Sequence, residues 1–449
     1  MIGLAGARVI VVDDQPEDAI PIITALSRKG ISAAFFDANS ESLPPPAGRL
    51  SGVRLAILDM NLIEGSDKSK ASTTASYLGG ILSPRNGPYG VLAWTNHPGL
   101  VQQFEEYVIS QSEMQKPIFT VSLTKAECKI KGEFNLALVS KKIDEQLAQM
   151  GPLFLLQAWE EKCFEAASNV TNALSDLATD NGSNLEEWRT SWRSRLLSLM
   201  HAMAEAEAEK QLDGDTCLAS LYSLLNPLHA DQMESGVAEL CTTLRQHASE
   251  ILDASSGCED EAQAKVNTML HLSFDNVDRF TAGAIFRFQP LEKLPSWVPS
   301  TDRLLSDLAQ EGHQSGTSAD KLKEVCHLAL IEVTPACDHA QKYVRIARFI
   351  TGLLVTKAER NKFKLKKEES FFWELGPVFL DKGVPPGIYW LLFSARHMVS
   401  HDLETASRMK SYARLRSQAF GDLQAWFARH SARAGMALLK KEQKQKGKK

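Results

Sequence analysis

The sequence predicts an α/β protein in which a five-stranded, doubly wound parallel sheet is followed by a helical region and a mixed α+β domain. Residues 1–150 alternate short apolar runs with segments of helical periodicity, which is typical of a parallel sheet covered by helices on both faces. Strong helix formers dominate residues 151–285, and β-branched and aromatic runs return in residues 286–439. We therefore predict three domains with these bounds and a basic tail at residues 440–449.

Each predicted strand of the first domain is a short run of mostly aliphatic or β-branched residues. The five runs are Ala7–Val12, Ser32–Phe36, Arg54–Leu58, Val91–Thr95 and Pro117–Leu123. Between them, apolar residues recur at a spacing near 3.6, which predicts amphipathic helices. The helices are Glu17–Arg28, Ala75–Leu82, Leu100–Val108 and Leu136–Gln149, and the proline-rich segment Ser42–Ser51 is a loop.

The rest of the chain divides into helices and then strands. In the helical region, Leu185–Glu209 favours packing around an apolar stripe, with coiled-coil self-association as the alternative. In the last region, β-branched and aromatic runs predict short strands, and Gly421–Leu439 predicts a helix. The runs are His327–Thr334, Ile346–Thr356, Phe371–Leu380 and Tyr389–Ser394.

Composition excludes several classes of protein. Of the 449 residues, 44% are hydrophobic and 23% charged, which is too apolar for a disordered chain and too mixed for a fibrous one. No apolar run is long enough to span a membrane, and we expect no secretory signal. The seven cysteines are scattered without a CxxC pair, which favours a reducing cytoplasm over a disulfide framework. A net charge of −5 gives no overall basic field for nucleic acid.

Polar residues follow four of the five predicted strands. Asp13 and Asp14 follow the first strand, Asp59 follows the third, Thr95 ends the fourth and Lys125 comes after the fifth. The carboxyl ends of parallel strands meet at one edge of a sheet, where ligands bind. We therefore expect three carboxylates, one hydroxyl and one ammonium group in a single shallow site.

The motifs around these residues resemble the receiver domain of bacterial response regulators, a flavodoxin-like fold. The resemblance covers about residues 6–150. The motifs are VIVVDDQPED (Val9–Asp18), LAILDMNLIEG (Leu55–Gly65), VLAWT (Val91–Thr95) and VSLTK (Val121–Lys125).

The resemblance implies a site for phosphoryl transfer. It makes Asp59 the acceptor of a phosphoryl group from a histidine kinase, with Lys125 pairing a phosphoryl oxygen and Thr95 bonding the modified aspartate. Mg²⁺ is implied as the cofactor, because a carboxylate must approach an anionic phosphoryl group. Its implied ligands are Asp13, Asp14, Asp59 and the backbone carbonyl of Asn61.

Some positions differ from the usual receiver pattern. Leu62 and Ile63 occupy the region where a proline follows the phosphoacceptor, and Ala126 replaces the proline after Lys125. These differences make the domain an atypical receiver. A simpler alternative is that Asp13 and Asp14 only cap the next helix, but that leaves the other polar strand ends unexplained.

A second group of reactive residues lies in the last region. Cys337, Asp338 and His339 follow a predicted strand, and a cysteine beside a histidine could act as a nucleophile with its base. Metal binding by Cys337 and His339, with another histidine added, is a further alternative. The simplest interpretation is a structural turn, because neighbouring residues on a strand point to opposite faces.

Basic residues concentrate near the end of the sequence. Arg408–Arg433 carries five arginines and one lysine with aromatic residues between them, and Lys440–Lys449 carries six lysines. Nucleic-acid binding is one interpretation. A basic helix face around an aromatic core, followed by a solvated tail, is the favoured one.

The leading functional hypothesis is a cytoplasmic response regulator of a two-component system, in which phosphorylation of an aspartate modulates an appended output region. One alternative is a degenerate receiver that binds a partner as a scaffold without phosphoryl transfer. Another is a receiver-controlled effector enzyme of a bacterial stress or phage-defence system. Several questions stay open at this stage, namely the kinase, the output activity and the oligomeric state.

Overall fold

The structure is a computed structural model with two compact units, which are described separately. One unit comprises Met1–Leu199 and Tyr222–Ala254, and the other comprises Met200–Leu221 and Ser255–Lys449. The described residues are 7–39, 43–147, 152–179, 184–208, 213–235, 237, 245, 251–252, 258–275, 280–288, 301–312, 326–340, 343–361, 365, 371–382 and 384–431.

The first unit contains a five-stranded sheet whose strands are all parallel. Its strand order is β2-β1-β3-β4-β5, which is the flavodoxin-like order. The strands are β1 (Val9–Asp13), β2 (Ala33–Asp37), β3 (Leu55–Leu58), β4 (Gly90–Trp94) and β5 (Phe119–Leu123). The predicted parallel sheet is therefore confirmed, with strand bounds within two residues of the expected ones.

Helices cover both faces of this sheet. They are α1 (Pro16–Ser27), α2 (Asp67–Ile81), α3 (Leu100–Ser110) and α4 (Leu136–Leu147). Val91 and Ala93 of β4 pack in the core beneath α2 and α3, whereas Leu92 and Trp94 pack in the core beneath α1 and α4. Because successive side chains of a strand point to opposite faces, a strand buried on both sides is apolar throughout.

Three local features of this unit differ from the sequence expectation. The helix α2 begins at Asp67, eight residues before the expected start at Ala75, because the hydroxyl of Ser66 caps it by accepting from the backbone N–H of Ser69 at 3.3 Å. The loop before β3 contains a 3₁₀ turn, Pro46–Gly48. After β5 come a 3₁₀ turn, Lys125–Cys128, and a two-stranded hairpin, which were not predicted.

The hairpin pairs β6 (Lys129–Ile130) with β7 (Glu133–Phe134). Its two loop residues, Lys131 and Gly132, have φ angles of 53° and 88°. Positive φ at both central residues matches the right-handed twist of the flanking strands.

Three long helices follow, as the sequence predicts. They are α5 (Pro152–Ala178), α6 (Leu185–Ala208) and α7 (Gly214–Ser235). The carboxylate of Glu160 in α5 is 2.7 Å from Arg8 and 2.7 Å from Arg54, which attaches α5 to the sheet. In α6, Trp192 donates to the hydroxyl of Ser175 in α5 at 3.2 Å. Self-association through α6 stays a prediction.

The second unit contains a seven-stranded sheet whose adjacent strands run antiparallel. The strand order is β12-β13-β11-β10-β9-β14-β8. The strands are β8 (Leu272–Ser273), β9 (Ala284–Phe288), β10 (His327–Glu332), β11 (Ile346–Thr356), β12 (Phe372–Leu380), β13 (Gly387–Asp402) and β14 (Ser411–Leu415). The helical character expected as far as residue 285 ends at His271, because Leu272 and Ser273 pair with β14.

Six further helices accompany this sheet in the described part of the chain. They are α8 (Asp260–His271), α9 (Thr301–Gly312), α10 (Ala336–Ala340), α11 (Lys357–Arg360), α12 (Leu403–Ser407) and α13 (Ser417–Ser431). The helix expected at Gly421–Leu439 is found to Ser431, and the rest of it lies outside the described residues. None of the described helices combines the length and the apolar character needed to cross a bilayer.

Candidate functional site

The carboxyl ends of four strands converge on a buried lysine. The ammonium nitrogen of Lys125 lies 2.8 Å from an oxygen of Asp59, 2.9 Å from one of Asp18 and 3.0 Å from one of Asp13. The side chain of Lys125 is 5% exposed, and that of Asp13 is completely buried. An ammonium group has three hydrogens to donate, and here each has a carboxylate acceptor.

Backbone hydrogen bonds fix the two deepest carboxylates. The second oxygen of Asp13 accepts from the N–H of Gln15 at 2.8 Å, and that of Asp59 accepts from the N–H of Asn61 at 2.9 Å. The N–H of Asp59 itself donates to the carbonyl of Val12 at 2.8 Å, which joins the ends of β3 and β1. The two acids are thus oriented by backbone N–H groups that lie directly after β1 and β3.

The electrostatics of the cluster follow from burial and from like charges. Burial raises the pKa of Asp13 to about 6 from an ordinary value of 3.8, although Lys125 acts in the opposite direction. Partial burial and the charge of Asp59 raise the pKa of Asp14. Burial alone would lower the pKa of Lys125, but Asp59 and Asp13 outweigh burial and raise it, so Lys125 stays charged.

Three of the acids could hold a divalent cation. Asp13, Asp14 and Asp59 each offer an oxygen, and these oxygens lie within 4.8 Å of one another. Nearby, the side-chain oxygen of Asn61 is buried without a hydrogen-bond partner. Carboxylate and carbonyl oxygens are the ligands that Mg²⁺ prefers, so the chemistry of these residues fits such an ion. Among the described residues, no other group of three acidic, histidine or cysteine side chains is arranged this way.

Thr95 lies directly after β4 and is 1% exposed. Its hydroxyl oxygen accepts from the N–H of His97 at 3.0 Å, which leaves the hydroxyl hydrogen to donate. The neighbouring Asn96 accepts from the N–H of Ala126 at 3.0 Å and ties the end of β4 to the turn that carries Lys125. All the residues singled out at the strand ends are therefore at the same edge of the sheet.

Asp18 is the member of the cluster that the sequence did not reveal. It lies in the first turn of α1, where an acidic residue is ordinarily explained by the helix dipole. A signal was present in its position, since the first turn of the helix after β1 starts at the same edge as the strand end. Its carbonyl oxygen also accepts from the indole N–H of Trp94 at 3.1 Å, which holds α1 against β4.

The predicted carboxy-terminal group is arranged differently from a nucleophile with its base. Cys337 is exposed on the short helix α10, and its sulfur is 3.7 Å from a carboxylate oxygen of Asp338. His339 turns to Glu332 instead, with its ring nitrogen 2.9 Å from a buried carboxylate oxygen. Glu332 also accepts from the N–H of Thr334 at 3.0 Å. The structure therefore pairs His339 with the end of β10, and a catalytic role for Cys337, Asp338 and His339 stays a prediction.

The basic segment is partly used within the fold. Arg408, directly after α12, pairs with Glu404 in that helix, and the guanidinium of Arg416 donates to the carbonyl of Leu272 at 3.1 Å. Arg433 and the lysine-rich tail lie outside the described residues. Nucleic-acid binding through this segment stays a prediction.

Comparison with models of known protein families, with curated proteins and with solved structures finds no match for this chain. The structure itself shows a five-stranded parallel α/β sheet with a buried acidic cluster at its carboxyl edge, an arrangement that is compatible with a receiver fold.

Proposed function

We propose that the first domain is an atypical response-regulator receiver that accepts a phosphoryl group on Asp59 from a partner histidine kinase. The observation that carries this proposal is the 2.8 Å contact between Asp59 and the buried ammonium of Lys125 at the carboxyl edge of the sheet. An ion pair that serves only stability needs no acidic partners beyond one or two, and it needs no hydroxyl at the neighbouring strand end. The strand order and the order of the polar strand ends along the sequence support the same class.

In this mechanism Asp59 is the nucleophile. A carboxylate oxygen of Asp59 forms a bond to phosphorus while the bond between phosphorus and the kinase's imidazole nitrogen breaks. The imidazole keeps the bonding electron pair and takes up a proton. The reaction depends mainly on positioning and charge neutralisation, which the oriented carboxylate and the fixed ammonium group supply.

Lys125 neutralises negative charge as the phosphoryl group arrives. Its pKa is raised, so it carries a full positive charge at neutral pH. Asp13, Asp14, Asp59 and the carbonyl of Asn61 are the residues that would hold Mg²⁺. When bound, this cation would offset the repulsion between the acidic site and the anionic phosphoryl group.

The output follows from the change of charge at Asp59. An acyl phosphate replaces one negative charge by about two and adds oxygens that accept hydrogen bonds. Thr95 has a hydroxyl hydrogen to donate, so it would bond the new group and draw the loop after β4 towards the site. This local change would shift the surface around the loop after β4 from one of two conformations towards the other. The remainder of the chain would respond to that surface as the output region of a cytoplasmic phosphorelay.

The test is incubation of the full chain with a small phosphodonor and Mg²⁺, followed by measurement of the intact mass. Wild type should gain one phosphoryl group, and Asp59→Asn should gain none. Asp67→Asn is the matched control, because Asp67 is an exposed acid in α2, and it should be modified like wild type. If wild type gains nothing while a partner still binds it tightly, the domain is a scaffold without phosphoryl transfer.

A further inference from the structure

We propose that Asp18 is a positioning residue that restrains Lys125 and limits the rate at which Asp59 accepts a phosphoryl group. This inference rests on the proposed function of Asp59. It starts from the 2.9 Å contact between the carboxylate of Asp18 and the ammonium of Lys125.

The three hydrogens of the Lys125 ammonium already have acceptors in Asp13, Asp18 and Asp59. A phosphoryl oxygen that arrives at Asp59 needs one of these hydrogens, and so one existing contact must be given up. The Lys125 ammonium is therefore available to a phosphoryl oxygen only after one of these contacts has broken. The contact that breaks most easily controls how often that happens.

Exposure indicates which contact breaks. The side chain of Asp13 is completely buried and that of Asp59 is 9% exposed, whereas that of Asp18 is 20% exposed. A carboxylate that leaves an ion pair must be hydrated again, and the free-energy cost is smallest for the carboxylate that is most accessible to water. Asp18 is thus the partner that competes directly with the incoming group.

Asp18 does not need Lys125 to stay in place. Its backbone carbonyl accepts from the indole of Trp94 at 3.1 Å, and Trp94 is completely buried beneath α1. The start of α1 is therefore fixed by a contact that a change of the Asp18 carboxylate leaves intact. Asp18→Asn should therefore remove one negative charge and leave α1 in place.

The experiment compares initial rates of phosphoryl uptake by the full chain with a small phosphodonor and Mg²⁺. Asp18→Asn should accelerate uptake by about tenfold, the size expected when the charged acceptor of one hydrogen bond is replaced by a neutral one that is easier to displace. Asp18→Glu, which keeps the charge, should stay near the wild-type rate. Glu17→Gln is the matched control, because Glu17 is an exposed acid in the same helical turn, and its rate should change by less than about twofold.

The outcomes separate this inference from simpler accounts. Equal acceleration by Asp18→Asn and Glu17→Gln would show an effect of net charge alone and would overturn the inference. An unchanged or slower rate in a folded Asp18→Asn protein would overturn it as well, since Asp18 would then assist Lys125.

A second readout does not depend on phosphorylation. Limited acylation of the full chain, read by peptide mass spectrometry, measures how accessible Lys125 is, with the more exposed Lys29 as the internal reference. Asp18→Asn should increase acylation of Lys125, and Glu17→Gln should not. If no variant takes up phosphate, the proposed function fails. An increase at Lys125 would then still support the restraint, and equal acylation would overturn it.

Discussion

Replacement of Lys125 by methionine should strongly destabilise the sheet, because it removes the only described cation that contacts Asp13, Asp18 and Asp59. Methionine keeps the length of the side chain and removes its charge. Breaking a buried ion pair by removing one partner costs about 3–5 kcal/mol, since the other charge is left buried and unpaired. Here several carboxylates lose their partner, so we expect the upper part of that range at pH 7.

The assay is native-state hydrogen exchange of the full chain, read in peptides that cover β1 and β3. At about 1.4 kcal/mol per tenfold change, a loss of 3–5 kcal/mol accelerates exchange by roughly 10²- to 10⁴-fold. The penalty should be smaller at pH 5, because Asp13 has a pKa of about 6 and carries a proton there. Variant and wild type are compared at each pH.

The matched control is Lys141→Met. Lys141 is 73% exposed and lies 3.8 Å from Glu145 on the same helix, a pair that contributes no more than about 0.5 kcal/mol. Its exchange should stay close to that of wild type. A loss below about 1 kcal/mol in Lys125→Met would refute the conclusion that the buried carboxylates depend on this ammonium group.

Four further predictions concern Mg²⁺ binding, its pH dependence, the pH dependence of stability and the carboxy-terminal cysteine. Asp14→Ala should weaken Mg²⁺ binding at least about tenfold in calorimetric titration, whereas Glu113→Ala at an exposed position should not, and equal binding by both would refute the ligand assignment. Mg²⁺ affinity should fall as the pH drops from 7 to 5, because the pKa of Asp13 is raised to about 6 and its proton competes with the cation. Without Mg²⁺, the stability of the fold should change with pH in the opposite direction. A raised pKa of the Asp13 carboxyl favours the fold at low pH, and that contribution is lost as the pH rises through about 6. Asp13→Asn should therefore flatten the dependence of stability on pH. Cys337→Ser should change the free energy of unfolding by less than about 0.5 kcal/mol, because Cys337 is exposed, and any output activity should persist; loss of all activity in the folded variant would favour the effector-enzyme hypothesis.

The strands of the first domain could be predicted because their burial on both faces demands continuous apolar runs. Val91 to Trp94 is such a run, and it contributes to the cores on both sides of the sheet. The start of α2 was harder to predict, since its first two turns are mostly polar and contribute small residues such as Ala71 and Thr74 to the interior. The capping serine, Ser66, was the local signal for it.

The same distinction applies to the candidate site, where some contacts could be predicted from the sequence and others could not. Residues at strand ends could be predicted to meet, because topology alone brings the carboxyl ends of parallel strands together. The contact between Asp18 and Lys125 depends on how far α1 is rotated against β4, and the sequence carries no periodic signal for that rotation. In the second unit, the pairing of His339 with Glu332 depends on the short helix α10, which a strand-based interpretation of that segment did not include.

The most direct test of the central claim is to locate the phosphoryl group chemically. The full chain is treated with a small phosphodonor and Mg²⁺ and then with borohydride, which reduces an aspartyl phosphate to homoserine, and peptides are sequenced by mass spectrometry. The proposed mechanism predicts homoserine at position 59 in wild type that was treated with the phosphodonor. When the phosphodonor is left out, none should appear at that position, either in wild type or in the Lys141→Met protein. Modification at another acid, or unmodified Asp59 in a folded protein that binds Mg²⁺, would contradict it.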